Sequence, residues 1–177
     1  LAFPKDIGDL KPIKKLGGST GAELVEDPQT GKQFVMKRGS SAQHLREEIN
    51  ADKAYQALGV SVPKFRLYET DDGPVKLAEF IEGKPLSALS KADQQKALKK
   101  IQKDFVADAL LGNWDVVGLQ KDNILIDPKG KVYRIDNGGS LRYRAQGEPK
   151  REAWNDYPQE LWSMRDRSIN SQAADVF

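Results

Sequence analysis

The chain has 177 residues, enough for one compact domain or two small lobes around a shared cleft and too few for two large domains. Its 28 Lys and Arg against 26 Asp and Glu leave a net charge of +2 with the signs interspersed, so nothing marks a nucleic-acid track. The lack of cysteine and the single histidine, His44, exclude disulfides, thiol nucleophiles, cysteine-zinc sites and multi-histidine metal centres. No apolar run approaches the roughly 18 residues that cross a bilayer, and no signal peptide opens the chain, so no membrane contact is expected. A first residue of Leu1 rather than Met points to a processed chain or a segment of a longer protein.

In chain order, the pattern predicts three strands over 11–16, 22–26 and 33–37, broken at residues 17–21 and 27–31 by turn formers. Ser40 and Ser41 offer N-caps for a helix to about Leu58, with Leu45, Ile49, Ala54 and Tyr55 on one side and Gly59 as its stop. Two more strands are predicted over 62–68 and 75–81, around a turn rich in Asp, Gly and Pro. These elements make a first lobe over residues 1–82. Beyond Gly83 the period changes to helical: Ser90 with Asp93 resembles a capping box, and Leu98, Ile101, Phe105 and Ala109 continue to Gly112. Runs over 123–126 and 132–135 are too short for helices and predict a hairpin around Asp127-Pro128-Lys129-Gly130. A short helix after Asp156 and Pro158, carrying Leu161, Trp162 and Met164, and another capped by Asn170, complete a second lobe over residues 83–177.

Several residues fall where chemistry is done. Gly17, Gly18, Ser19, Thr20 and Gly21 lie between two strands, where backbone N–H groups can approach phosphate oxygens; read alone they are an ordinary glycine-rich hairpin. Lys37 ends an apolar strand near that turn, and the following helix supplies Glu47 and Glu48 as partners for its ammonium. Asp115 follows the long helical stretch, while Asn123 and Asp136 stand at the two ends of the hairpin. Asn and Asp oxygens suit Mg²⁺ together with nucleotide phosphates, and a third carboxylate can orient and deprotonate an acceptor hydroxyl. Singly, each is also explained as a turn cap.

Taken in order, these elements resemble the protein-kinase fold in a shortened, atypical bacterial form, over about residues 11–142. A glycine loop, a strand lysine, a helix glutamate, a catalytic Asp and Asn and an Asp-Phe-Gly metal site follow one another in that family. Gly17 to Gly21, Lys37, Glu48, Asp115, Asn123 and Asp136-Asn137-Gly138 are similar in order and context. The resemblance implies an α+β, two-lobed kinase-like fold: an antiparallel sheet with one helix, then a reduced, mostly helical C-lobe. It further implies ATP and Mg²⁺ as cofactors, with Lys37 held by Glu48, metal on Asn123 and Asp136, and Asp115 as base. The segment from Leu77 to Gly83 resembles the hinge, implying that the backbone of Glu79 and Ile81 contacts adenine. Glu48 is preferred over Glu47 by its distance to the Leu58-Gly59-Val60-Ser61-Val62-Pro63 helix ending.

The departures are specific. No His-Arg precedes Asp115, Asn123 follows it by eight positions rather than five, Asn137 replaces phenylalanine, and no Ala-Pro-Glu segment follows. HipA-like toxins and the minimal kinases of type III secretion depart in comparable ways, so a bacterial effector or toxin is the implied context. It would be soluble and monomeric, cytoplasmic or secreted into a target cell. A protein substrate phosphorylated on Ser or Thr is expected, with a small-molecule acceptor, AMP transfer and a noncatalytic pseudokinase as alternatives. Elsewhere, bland roles are expected. His44 reads as a solvated or capping residue, Arg142 and Arg144 as a solvated loop able to hold an acidic group, and Lys96, Lys99, Lys100 and Lys103 as a solvated face. Trp114, Trp154 and Trp162 read as core or lobe-packing aromatics.

Overall fold

The computed structural model describes residues 2–18 and 20–177. Five strands, β1 (Lys11–Gly17), β2 (Ala22–Glu26), β3 (Gln33–Lys37), β4 (Phe65–Thr70) and β5 (Gly73–Glu79), form one antiparallel sheet in the order β1-β2-β3-β5-β4. β1 is exposed along its whole length, and its three lysines and Pro12 discourage further pairing at that edge. Phe34, Val75, Leu77, Val25 and Tyr68 form the sheet's core, closed by Phe3, Ile7 and Leu10 of the N-terminal segment.

The last two strands differ from their predicted bounds. Pro63 has no N–H for a ladder, so pairing begins at Phe65, and Thr70 Oγ1 donates to Gly73 O at 2.7 Å to tighten the turn. β5 therefore ends at Glu79, and Phe80 and Ile81 already belong to the connection.

Between β3 and β4 runs α1 (Ala42–Ala57). Ser41 Oγ accepts from His44 N at 3.1 Å, and the helix ends with Val60 N on Tyr55 O and Gly59 N on Gln56 O. Its buried side holds Leu45, Ile49 and Tyr55, but also His44, Glu48 and Asp52. His44 was expected to be solvated or capping; it is 1% exposed, and its Nδ1 accepts from Ser40 N at the helix start.

The second lobe opens with β6 (Lys84–Pro85), which adds a third strand to the predicted hairpin of β7 (Ile124–Ile126) and β8 (Val132–Arg134). The predicted long helix is two: α2 (Lys91–Lys103), capped by Ser90, and α3 (Phe105–Leu110), with Asp104 at the break. Ile101, Phe105, Val116, Val117, Ile124 and Met164 centre the core of this lobe. The tail carries α4 (Glu160–Ser163) and α5 (Ser171–Ala174), the latter capped by Asn170 Oδ1 as its sequence suggested. The tryptophans do not fill this core: Trp114 is 43% exposed and Trp162 51%, while Met164 is buried. No helix among the described residues is long and apolar enough to cross a membrane.

Candidate active site

A cavity of about 340 Å³ lies where the two sheets face each other, lined by Gly17, Lys37, Glu79, Ile81, Asn123 and Asp136 among others. A larger open groove of about 730 Å³ lies along α2 and the β7–β8 turn and holds none of the phosphate- or metal-directed residues. Gly18, Thr20 and Gly21 belong to the turn above the first cavity without lining it, and Ser19 lies outside the described residues.

The rear of the cavity is ionic. Lys37 Nζ sits 2.8 Å from Glu48 Oε1 and 2.8 Å from Asp136 Oδ1, so one ammonium joins α1 to the turn after β8. Glu47, the other helix candidate, points instead toward Arg142, 3.9 Å away. Burial disfavours the charged Lys37, yet the two carboxylates outweigh it and raise its pKa. Burial likewise pushes Glu48 up, and Lys76 and Lys37 overcome it to hold the carboxyl at about 2.

Lys76 on β5 is the fourth member of this wall: its Nζ lies 2.5 Å from Asp52 and 3.8 Å from Glu48. Neither Asp52 nor Lys76 was singled out from the sequence. Below them lies a buried set of polar side chains: Asn137, Asn113, Tyr55, Asp108 and Arg134. Arg134 binds Asp108 with Nη2 at 2.8 Å and Nε at 3.2 Å, a two-point match that suits burial.

The mouth is different in kind. Asn123 Nδ2 donates to Asp115 O at 2.9 Å and more weakly to Asp115 Oδ2 at 3.3 Å, which leaves the amide oxygen of Asn123 as an acceptor. Asp115 stands beside the cavity rather than in its lining. Burial, then the charge of Asp136, pushes its carboxyl above the usual range. The Asp136 side chain is 50% exposed, and its backbone is left-handed at φ +55°, a conformation Asp tolerates better than most residues.

The eight-residue spacing from Asp115 to Asn123 has a packing reason. Val116 and Val117 turn into the core, Asn123 N bonds to Val117 O at 3.2 Å, and Gly118 folds back onto the Asn123 amide. A Cβ on Gly118 would lie 2.9 Å from Asn123 Cγ, so the turn needs glycine.

His44 pins α1 to the Asp136 turn a second time. Ser40 N–H approaches its Nδ1 at 3.3 Å, so Nε2 carries the proton and donates to Gly138 O at 2.9 Å. A Cβ on Gly138 would come within 2.8 Å of that nitrogen. Tyr143 packs 5.7 Å from the same ring, and Ser40 Oγ donates to Gln146 O at 2.8 Å. Arg142 and Arg144 remain exposed on this loop, and Lys100 turns its ammonium onto Gly130 O at 2.8 Å.

Among the described residues no three His, Cys, Asp or Glu side chains form a metal cluster. The oxygens of Asn123 and Asp136 nevertheless suit a hard divalent cation whose remaining ligands are phosphate oxygens and water, the usual mode of Mg²⁺ in nucleotide sites.

No family model matches the sequence, and no curated protein does. Among solved structures the chain is similar to the Cydia pomonella granulovirus kinase PK-1, with a TM-score of 0.53 and 18% identity over 75% of this chain and 52% of that one. The fold is therefore kinase-like, two-lobed and reduced, and the chain spans about half the length of the kinase it resembles.

Proposed function

We propose that the chain is an ATP- and Mg²⁺-dependent phosphotransferase acting on Ser or Thr hydroxyl groups of a protein. The observation that carries this reading is the position of Lys37. One buried ammonium lies 2.8 Å from a helix carboxylate and 2.8 Å from a half-exposed carboxylate at the mouth of a cavity, where it can neutralise phosphate oxygens.

In this reading the base enters at the β5 end. Glu79 N already donates to Lys64 O at 2.8 Å, so adenine would use the Glu79 carbonyl and the Ile81 N–H. The turn holding Gly17, Gly18, Ser19, Thr20 and Gly21 covers the phosphates, and Lys37, kept in place by Glu48, contacts them from the rear. Asn123 and Asp136 would hold Mg²⁺, which when bound neutralises charge on the β- and γ-phosphates. Asp115 orients the acceptor hydroxyl and takes its proton, with Asn123 fixing its carboxylate. Phosphoryl transfer asks mainly for position and charge neutralisation, which this arrangement can supply without a nucleophile on the protein.

The test is incubation of the purified chain with γ-labelled ATP and a cell lysate, beside Asp136→Ala. Label on protein that vanishes with the variant is expected. Label on metabolites alone would move the acceptor to a small molecule, transfer from α-labelled ATP would replace phosphoryl by AMP transfer, and undiminished label with Asp136→Ala would remove the metal assignment.

A further inference from the structure

The polar side chains beneath the cavity form one ordered series of donors and acceptors, and its ends fix every group between them. Asp52 lies one helical turn after Glu48 on α1. It meets two donors from different sides: Lys76 Nζ at 2.5 Å from Oδ2 and Asn137 Nδ2 at 2.8 Å from Oδ1. Only a carboxylate offers acceptors to both, since an amide would set an N–H against one of them. With its Nδ2 on the carboxylate, Asn137 turns its Oδ1 to Asn113, whose Nδ2 donates to it at 3.1 Å. That Nδ2 also donates to Tyr55 Oη at 2.9 Å, and the Tyr55 hydroxyl donates in turn to Asp108 Oδ1 at 2.7 Å. Arg134 holds Asp108, and the Arg134 carbonyl accepts from Asn137 Nδ2 at 3.3 Å, which closes a ring.

We propose that Asp52 is a positioning residue for the metal-directed turn. Through Asn137 it fixes Asp136 relative to α1, and through Asn113 it fixes the loop that carries Asp115. One helix thus presents two carboxylates a turn apart: Glu48 sets the phosphate-directed lysine and Asp52 sets the groups opposite it. A shift of α1 breaks both links together, so the halves of the site assemble as a unit. Each bond of the series runs from a donor to an acceptor, with only the buried Asn113 Oδ1 left over among its amide groups, and every single change of sense at 52 or 137 opposes like groups.

The functional consequence rests on the phosphotransferase reading; the coupling itself does not. In the full chain, Asp52→Asn and Asn137→Asp each oppose like groups, and the double exchange restores the 52–137 link, with an amide on α1 donating to a carboxylate at 137, while the weaker 3.3 Å bond to the Arg134 carbonyl is lost. Two readouts are taken: hydrogen exchange of the 135–141 peptide without nucleotide, and the affinity of a fluorescent ATP analogue with and without Mg²⁺. Each single variant is expected to speed exchange at 135–141 while α2 stays protected. Each should also lose roughly 10–100-fold of the Mg²⁺-dependent affinity, as outer-shell changes at metal sites do. The double variant should recover part of both, since only the link to the Arg134 carbonyl stays broken.

Single variants that exchange and bind as the parent does, or a double variant in which the two losses add, overturn the proposal. If the parent binds no nucleotide, the phosphotransferase reading fails and the exchange data alone decide the coupling. If a single variant does not fold, Tyr55→Phe removes one hydroxyl at the far end of the ring. Faster exchange at 135–141 in that variant supports the coupling, and unchanged exchange contradicts it.

Discussion

The rear and the mouth of the cavity use the same residue types to opposite ends. At the rear, the side chains of Lys37, Glu48, Lys76 and Asp52 are at most 12% exposed and meet one another at 2.5–3.8 Å. At the mouth, Asp136 is half exposed, and Asp115 and Asn123 meet mainly through a backbone carbonyl. A buried charge keeps its place only when its partners are already present, so the rear is rigid and self-contained. Carboxylates left near solvent beside one another repel, and they are relieved by a cation or a bound donor. The contrast separates a wall that holds geometry from an edge open to solvent, where the proposed function places the ligand.

The strongest way to break that contrast is to strand a charge in the buried polar set that supports the rear from below. Arg134→Met leaves Asp108, 0% exposed, without its cation, and should cost about 3–5 kcal/mol, read as a lower urea midpoint. A fall below about 1 kcal/mol would mean that this set is not held by its ion pair. Acid comes next. Glu48 is held at about 2 in the fold against an ordinary value of 4.5. Its folded pKa is below its unfolded one, so its contribution is present above the unfolded value and is lost as pH falls from about 4.5 to about 2. Thermal unfolding should therefore drop steeply across that window, and Glu48→Gln, weaker at neutral pH, should flatten the slope there.

Gly138→Ala sharpens the comparison more finely. Its methyl would lie 2.8 Å from His44 Nε2 and push α1 from the turn that carries Asp136, at about 1–3 kcal/mol. The same change at Gly130, where the nearest atom is the flexible Lys100 ammonium at 3.3 Å, meets no packed ring and is limited by its φ of +82°. Smallest of all is the mouth: Asp136→Asn should move stability by less than about 1 kcal/mol, since the side chain is half in water. A larger loss would place Asp136 with the rear.

Much of this site was legible because its members sit at element ends. Lys37 closes β3, Asn123 and Asp136 flank the β7–β8 hairpin, and the glycines of the first turn precede β2, all positions where turn chemistry and strand pattern speak together. The choice of Glu48 over Glu47 agrees with the ion pair to Lys37. The polar ring was not legible, because a polar residue inside a helix or strand looks the same whether it meets solvent or another buried group. Asp52 and Lys76 acquire meaning only when α1 lies on β5, and Arg134 only when β8 faces Asp108. One signal was present. His44, Glu48, Asp52 and Tyr55 recur on the side of α1 that carries Leu45 and Ile49, and a polar stripe inside an apolar face implies buried partners. The burial of His44 was missed because it was judged from its neighbours in sequence, while its second partner, Gly138, lies 94 positions away. Trp114 and Trp162 depart for the converse reason: an aromatic side chain can remain largely exposed in a short tail helix, as Trp162 does, whereas Trp154 is half-buried beside Lys150.

A calorimetric titration of the chain with ATP, in the presence and absence of Mg²⁺ and beside Asp136→Asn, puts the reading of the mouth as a receiving edge to trial. Saturable binding that tightens with Mg²⁺, and a variant that keeps the metal-free affinity but loses roughly 10–100-fold of the metal-dependent gain, is the expected result. Binding indifferent to Mg²⁺ in both proteins, or none in the parent chain, would contradict it.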